Sequence, residues 1–159
     1  MDFNSLNTNN FKFNLNRTPN LEYNVQKVNL PGVSLGTATI PTPFVPYYMP
    51  GNMQFDELVV EFTVAESMED WLDIFNWIEA LGQPDHVGSV ERLVRDNMSD
   101  GSLIIMNGSS SPVVQANFEG LIPIALSPIM FDTTITGVQY ATASVSFKYT
   151  KYKIKTVDL

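Results

Sequence analysis

Apolar and polar residues alternate along several stretches of the chain, which is the period of β-strands buried on one side. Phe11, Phe13 and Leu15 begin the pattern, and residues 21–30 continue it with a change of phase near Gln26–Lys27 that indicates a β-bulge. Further strands are predicted over residues 58–65, 102–106, 113–122 and 140–152. The pattern predicts a mainly β fold, a β-sandwich or barrel of about six to eight strands with one main α-helix packed on it.

One segment has a helical period instead. Between residues 68 and 81 the apolar positions recur every three or four residues, at Met68, Trp71, Leu72, Phe75, Ile78 and Leu81, with Ile74 and Trp77 widening the face. Ser67 is the predicted N-cap, with Asp70 three residues later in a variant of the capping box. Gly82 and Pro84 predict where the helix ends.

The two faces of this helix follow from the same period. Trp71 and Phe75 are expected to pack against the sheet and to join the core. The acidic residues Glu69, Asp70 and Asp73 resemble a carboxylate cluster, but on a helix whose other face is aromatic they are expected to be its solvated side.

The stretch from Pro31 to Pro50 contains five of the ten prolines of the chain. Proline has no backbone N–H to donate, so this stretch is not a central strand. We interpret residues 31–53 as a proline-rich extended arm or an edge hairpin. A segment of this kind in a compact domain usually makes functional or partner contacts; the alternative is a surface loop packed on its own domain.

Composition limits the classes of protein to which the chain can belong. The 159 residues are 44% hydrophobic, and 9 Lys and Arg against 17 Asp and Glu give a net charge of -8. We assign residues 11–159 to a single domain and residues 1–10, rich in Asn, Ser and Thr, to a flexible N-terminal arm. The acidic balance argues against binding nucleic acid by phosphate neutralisation. Without a signal-peptide pattern or a long apolar run, we expect no membrane insertion.

The residues that could support catalysis do not form a constellation. There is no cysteine, and His86 is the only histidine, placed between the predicted helix and a weakly predicted turn or helix over residues 87–95. Ser109–Ser111 lacks the pattern of a nucleophile elbow. Residues 96–101 resemble a calcium loop, but Met98 occupies a ligand position, so a polar hairpin turn is predicted. The sequence predicts no enzyme, no catalytic residue, no cofactor and no metal site.

Five segments, in order, resemble motifs of one known family. Arg17–Leu21 is similar to an "R-P-N-L" strand start, Leu30–Val33 to "L-P-x-G" and Phe55–Val64 to "tFddw-x-vtv". Gly120–Pro123 resembles a "G-x-x-P" strand exit, and Val145–Tyr149 a final "v-x-F-x-Y" strand. These are motifs of the tail tube proteins of contractile-tailed, T-even-type bacteriophages, whose domain is shared by tube initiator and baseplate hub proteins.

The resemblance implies a hexameric ring whose sheets join across subunits into an inner barrel. Rings stack into a tube through which DNA passes without specific binding, and the partners are the tail sheath and the baseplate or tail terminator proteins. The implied location is the virion tail, assembled in the host cytoplasm. Candidate contacts within or between rings are Phe44, Tyr47, Tyr48 and Met49, and the candidate lumen-facing residues are Thr142, Ser144 and Ser146.

Several alternatives stay open at this level. A tube initiator or baseplate hub ring of the same fold fits the motifs as well as a tube subunit does. A monomeric β-barrel that binds a small ligand or a peptide is the alternative from a different class. The polar face of Thr142, Ser144 and Ser146 fits an ordinary solvent-exposed face as well as a lumen.

Overall fold

The computed structural model describes residues 4–82 and 95–157, and within these the chain forms nine strands and a long α-helix. The elements are β1 (Phe11–Leu15), a 3-10 helix (Pro19–Asn24), β2 (Val25–Val28), β3 (Val33–Ile40), β4 (Tyr47–Phe55), β5 (Leu58–Thr63), α1 (Glu69–Gly82), β6 (Ser99–Met106), β7 (Pro112–Leu126), β8 (Thr142–Lys148) and β9 (Lys151–Thr156). His86 and most of the turn or helix predicted over residues 87–95 lie outside the described residues.

Seven of the strands form one antiparallel sheet that folds into two layers. The first layer contains β1, β6, the first part of β7, and β9; the second contains the rest of β7, β8, β5 and β2. The predicted fold class, a mainly β sandwich with one main helix, is confirmed. The remaining two strands, β3 and β4, pair with each other in a separate two-stranded sheet.

The switch between layers occurs inside β7. Its residues 114–119 pair with β9, and its residues 122–126 pair with β8. Between these parts Gly120 has φ of +70°, and a Cβ there would lie 2.8 Å from the Thr150 hydroxyl oxygen, so any side chain would be strained and would have to displace that hydroxyl. The predicted strand exit over Gly120–Pro123 is therefore wrong, because the strand continues to Leu126 with Pro123 opposite Phe147.

The core lies between the two layers and follows the predicted alternation. Its buried side chains are Phe13, Leu15, Leu103, Ala116, Phe118 and Leu121 from β1, β6 and β7, and Leu58, Val60, Phe62, Ala143, Val145 and Phe147 from β5 and β8. Ile74 and Trp77 of α1 and Leu21 of the 3-10 helix are also part of this core. Each large side chain of this kind contributes roughly 1.5–3 kcal/mol by burial.

Two of the predicted strands are divided differently in the structure. Residues 21–24 of the predicted second strand belong to a 3-10 helix that begins at Pro19, and only Val25–Val28 pair with β5. The predicted bulge is confirmed by the register shift between Val25 and Lys27. The single strand predicted over residues 140–152 is two strands, β8 and β9, because the chain turns at Tyr149–Thr150 to pair with the other part of β7.

The orientation of α1 differs from the prediction. Ile74 and Trp77 are fully buried, whereas Trp71 is half-buried and Phe75 is 46% exposed. Trp71 and Phe75 stack on each other with ring centroids 5.5 Å apart. The apolar positions cover so wide an arc of the helix that their period could not fix which of them faces the sheet.

Asp70 is 1% exposed, which contradicts the prediction that it lies on a solvated face. Its carboxylate accepts hydrogen bonds from the backbone N–H groups of Ala65 (3.1 Å) and Trp71 (2.9 Å) and from Asn24 Nδ2 (3.0 Å). The residue before the helix is Met68, with φ of +57°, and not the predicted N-cap Ser67. Asp70 thus links the start of α1 to Ala65, two residues after the end of β5, and to the 3-10 helix.

The β3–β4 hairpin, hereafter the arm, is joined to the sandwich by a cluster of four aromatic rings. Phe55 at the end of β4 lies 5.9 Å from Tyr149 and 5.2 Å from Tyr152, between ring centroids. Both tyrosine rings contact Phe118, at 5.2 and 5.4 Å. Because Phe118 belongs to the buried core, the cluster connects the arm directly to the interior.

Hydrogen bonds to backbone atoms reinforce this anchor. The Tyr152 hydroxyl donates to the Pro31 carbonyl (2.7 Å), and the Tyr149 hydroxyl donates to the Asp56 carbonyl (2.8 Å). The Asp56 N–H donates to the Gly32 carbonyl at 3.0 Å. The base of the arm is held at both strands, so its direction relative to the sandwich is fixed.

Removing the Asp70 carboxylate should destabilise the fold. We expect Asp70→Ala to lower the free energy of unfolding by about 2 kcal/mol, because it leaves buried N–H groups without an acceptor. Glu69→Ala is the control, since Glu69 is exposed in the same helical turn and its interaction with the helix dipole is worth only about 0.3–1 kcal/mol. Urea unfolding of the two variants measures the difference; equal losses would contradict the role of Asp70.

The anchor of the arm should depend on pH. Burial raises the pKa of Tyr149 from 10.0 to about 12. The hydrogen bond from the Tyr149 hydroxyl to the base of the arm therefore stabilises the anchor fully below pH 10. This stabilisation is lost as the pH rises towards 12. We expect proteolysis of the arm to accelerate over this range. Tyr149→Phe should make this acceleration smaller, and an unchanged profile in that variant would contradict the assignment.

Candidate assembly surface

The arm exposes apolar residues on both of its faces. Its pairing places Val33, Leu35, Met53 and Tyr48 on one face, and Ile40, Ala38, Met49 and Tyr47 on the other. All residues of β3, and all of β4 except Phe55, are exposed. An isolated two-stranded hairpin is marginally stable in water, so these exposed faces make the arm a candidate assembly surface.

The four contact candidates predicted from sequence all lie on the arm. Phe44 is at its tip and is 95% exposed. Tyr47 and Met49 share one face, opposite Ile40 and Ala38, whereas Tyr48 lies on the other face opposite Thr39. The structure thus places the candidates together on one element but divides them between its two faces.

A pair of glycines shapes the arm midway along its length. The register shifts between Leu35 and Thr37, where β4 has an extra residue. A Cβ at Gly51 would lie only 2.9 Å from the Gly36 carbonyl oxygen, closer than real side chains approach. The two backbones therefore meet at a point that admits no side chain at position 51.

The arm is also free of charge. No residue from Val28 to Phe55 is charged, although the whole chain has a net charge of -8. A surface without charged groups can be buried against another apolar surface without the desolvation cost of an unpaired ion. The arm is therefore suited to a contact from which water is excluded. Its prolines and aromatic residues indicated its location in the sequence.

The lumen-facing candidates lie together on the outer face of the second layer. Thr142, Ser144 and Ser146 alternate along β8 with the buried Ala143, Val145 and Phe147. On the same face, β5 places Thr63 opposite Thr142, Glu61 opposite Ser144 and Val59 opposite Ser146. Lys27 of β2 forms an ion pair with Glu61 at 3.7 Å. This face is mostly polar, and its charged residues are Lys27, Glu61 and the exposed Lys148 at the end of β8.

The outer face of the first layer has a different character. Lys151, Lys153 and Lys155 alternate along β9 and lie opposite Glu119, Asn117 and Gln115 of β7. Lys151 forms an exposed ion pair with Glu119 at 3.8 Å, a contact worth little in water. The two outer faces of the sandwich therefore differ in charge, and the strand pairing that produces this difference was not visible in the sequence.

A groove lies at the end of the sandwich where β5 and β8 meet α1. Residues 64–68 form one wall and residues 129–141 the other, and the open space between them measures about 570 Å³. The Val64 N–H donates to the Ala141 carbonyl at 2.9 Å, which joins the walls at the base. We call this the end groove; its apolar lining is Val64, Met68, Ile129, Phe131, Val138 and Tyr140.

No arrangement for metal binding or membrane crossing is found in the described parts of the chain. Among residues 4–82 and 95–157, no group of three or more potential metal ligands is close enough to hold an ion. Within the same ranges, no helix has the length and apolarity to cross a bilayer. Asp70, the most buried carboxylate described, is used in hydrogen bonds at the start of α1.

The fold was compared with known proteins. No protein-family model matches the sequence, and no curated protein matches it. Solved structures do match. A chain from the anti-feeding prophage cap, described as a tube-terminating cap, has a TM-score of 0.72 at 15% identity, over 99% of this chain and 95% of that chain. A chain from the sheath–tube complex of an extracellular contractile injection system, PVC, has a TM-score of 0.71 at 15% identity, over 98% and 94%.

A third match is a chain from the six-fold symmetrised baseplate of the anti-feeding prophage, with a TM-score of 0.68 at 15% identity over 100% of both chains. These descriptions are of structural assemblies. At such low identity the likeness shows the fold alone, and it confirms at that level the resemblance indicated by the sequence motifs. The chain has the fold found in tube, cap and baseplate assemblies of contractile injection systems.

Proposed function

We propose that this chain is a structural subunit of the tube of a contractile tail. Six copies form a ring, and rings stack into a tube that surrounds a lumen for DNA passage. The observation that carries the proposal is the arm, an uncharged hairpin whose two apolar faces are exposed and whose base is fixed to the core. The structural likeness to tube and cap assemblies supports it.

The burial of apolar surface favours a contact between the arm and neighbouring copies of the chain. Large apolar side chains gain roughly 1.5–3 kcal/mol each when fully buried, and the arm has Leu35, Phe44, Tyr47, Tyr48 and Met53 each more than half exposed. Burying even part of this surface against a neighbouring copy therefore favours association, and each added subunit buries the same surface again. The arm residues Phe44, Tyr47, Tyr48 and Met49 are the proposed contacts within or between rings.

The outer face of the second layer is the proposed lumen surface. A lumen for DNA must not hold phosphate groups, so it should carry few unpaired cations. The β8 face presents one lysine, Lys148, beside Thr142, Ser144 and Ser146, whereas the β9 face presents three, Lys151, Lys153 and Lys155. We therefore assign the lumen to the second layer, and the first layer to the outside of the tube or to contacts with other subunits.

The position of the ring in the tail is a second part of the proposal. We favour the tube itself, with sheath, baseplate or terminator proteins as partners and the virion tail, assembled in the host cytoplasm, as the location. A tube initiator or baseplate hub ring of the same fold is the alternative, because the structural matches include a cap (TM-score 0.72) and a baseplate (0.68) as well as a sheath–tube complex (0.71).

A monomeric binding module is less well supported by the packing. The space between the layers is filled by large side chains such as Phe13, Phe62, Phe118 and Phe147, each at most 1% exposed. The described clefts lie at the surface instead, including the end groove. A barrel that binds a ligand would need an interior cavity of ligand size.

Shortening the arm tests its role in assembly. Replacing residues 39–48 by Asn-Gly would close the hairpin at the Ala38–Met49 pair, whose residues both have a backbone N–H, with a favourable two-residue turn. We expect unchanged thermal unfolding, because no residue of this segment belongs to the core. Sedimentation and negative-stain microscopy should show six-membered rings and stacks for the unmodified protein, and no stacks for the shortened one.

Tyr23→Ser is the matched control for this experiment. Tyr23 is 86% exposed and lies on the 3-10 helix, away from the arm. This variant should assemble like the unmodified protein. Normal stacking by the chain with the shortened arm, or a monomeric unmodified protein at high concentration, would contradict the proposed function.

Labelling tests the lumen assignment. The chain has no cysteine, so Ser146→Cys and Lys153→Cys each introduce a single thiol on the outer face of a different layer. A maleimide attached to a polymer too large to enter the tube should label both unassembled variants. In assembled tubes we expect Ser146→Cys to be protected and Lys153→Cys to react. The reverse pattern would place the first layer at the lumen.

A further inference from the structure

The arm and the end groove lie at opposite ends of the sandwich. The arm ends at Phe55, just before β5 begins at Leu58, and the groove begins at Val64, just after β5 ends at Thr63. Six residues of extended strand separate the two ends by about 20 Å. The antiparallel β8 gives the same order, because Tyr140 of the groove precedes it and Tyr149 of the arm anchor follows it.

The groove is the second concentration of exposed apolar side chains in the described structure. Phe131, Val138 and Tyr140 on its loop are each more than 80% exposed, as is the neighbouring Met130. The loop connects β7 to β8 without a strand of its own. An exposed apolar surface of this kind, concentrated on one loop, marks an interaction site rather than an ordinary solvent face.

The groove contains almost no charge. Asp132 is the only charged residue between Leu126 and Thr142, and its carboxylate accepts two hydrogen bonds from Thr134. These bonds lower the pKa of Asp132, which holds it ionised on the exposed part of the loop. Among the described residues that line the groove, Glu66 is the one that is charged. The occupant that this surface fits is apolar, uncharged and narrow.

We propose that the end groove is the receptor for the arm tip of a second copy of this chain. The tip, residues 41–46, has three prolines, is uncharged and has Phe44 95% exposed at its end. Eight residues of β3 put the tip about 25 Å from its anchor, which is enough to enter a neighbouring molecule. This inference rests on the proposed function and specifies which surface receives the arm.

The contact would be head-to-tail. An arm at one end and its receptor at the opposite end of the same subunit form a heterologous interface, in which every copy uses both surfaces once. Such an interface repeats along an axis without pairing arms with arms. In a stack of rings, the arm end of each ring would face the groove end of the next ring, and the tube would be polar.

Charge substitutions at the two surfaces test the contact. Phe44→Asp at the tip and Tyr140→Asp in the groove should each raise the critical concentration for stacking by about tenfold or more, since either would bury an unpaired carboxylate. Tyr23→Asp, at a residue 86% exposed elsewhere, should leave stacking unchanged. Circular dichroism and thermal unfolding should be the same for all three, because none of these side chains is in the core.

Cross-linking identifies the surfaces that meet. The two variants Val45→Cys and Gln139→Cys leave Phe44 and Tyr140 intact and carry the only thiols of their chains. A short bismaleimide should join the two variants when they are assembled together. It should give no covalent dimer in either variant alone, because a head-to-tail contact brings no residue next to its own copy.

Three results would overturn the inference while leaving the proposed function intact. These are normal stacking by Tyr140→Asp, arm-to-arm dimers from Val45→Cys alone, or assembled mixtures that yield no mixed product. Normal stacking by Phe44→Asp together with normal stacking by the chain with the shortened arm is a different outcome, because it would remove the arm from assembly and contradict the proposed function itself.

Discussion

The structure depends on one strand that belongs to both layers of the sandwich. β7 changes partners at Gly120, where a positive φ and the close Thr150 hydroxyl favour glycine over any residue with a side chain. Because its two parts pair with different strands, the chain must turn sharply between β8 and β9 to follow them. This turn places Tyr149 and Tyr152 beside Phe118, and these rings hold the base of the arm. The direction of the arm is thus a consequence of the switch in β7.

Folding and assembly use separate surfaces of this protein. The core is built from side chains between the layers and under α1, and none of them comes from the arm or from the loop of the end groove. Apolar residues that a monomer leaves in water, such as Phe44 and Val138, add nothing to its folding stability. This separation lets assembly surfaces change without unfolding the subunit, and it makes the proposed contact testable with variants that stay folded.

The distribution of charge matches this separation between folding surfaces and proposed assembly surfaces. Residues 28–55 carry none, and the loop before β8 carries only Asp132. The lysines of β9 gather on the outer face of the first layer, while the polar residues of β8 lie on that of the second.

Not every carboxylate of the protein is exposed to solvent. Asp70 is buried because three hydrogen-bond donors converge on it at the start of α1, and a helical period alone does not reveal such donors.

The sequence by itself determined the fold class, most strands, the helix and the location of the arm, because these depend on local periods and on proline chemistry. It placed Phe44, Tyr47, Tyr48 and Met49 on one element and Thr142, Ser144 and Ser146 on one face. Only the tertiary structure decided which side of α1 is buried, where β7 changes layers and that a groove lies opposite the arm. Those features arise from contacts between residues far apart in the chain, such as Trp77 with Phe147 and Val64 with Ala141, and no local pattern encodes them.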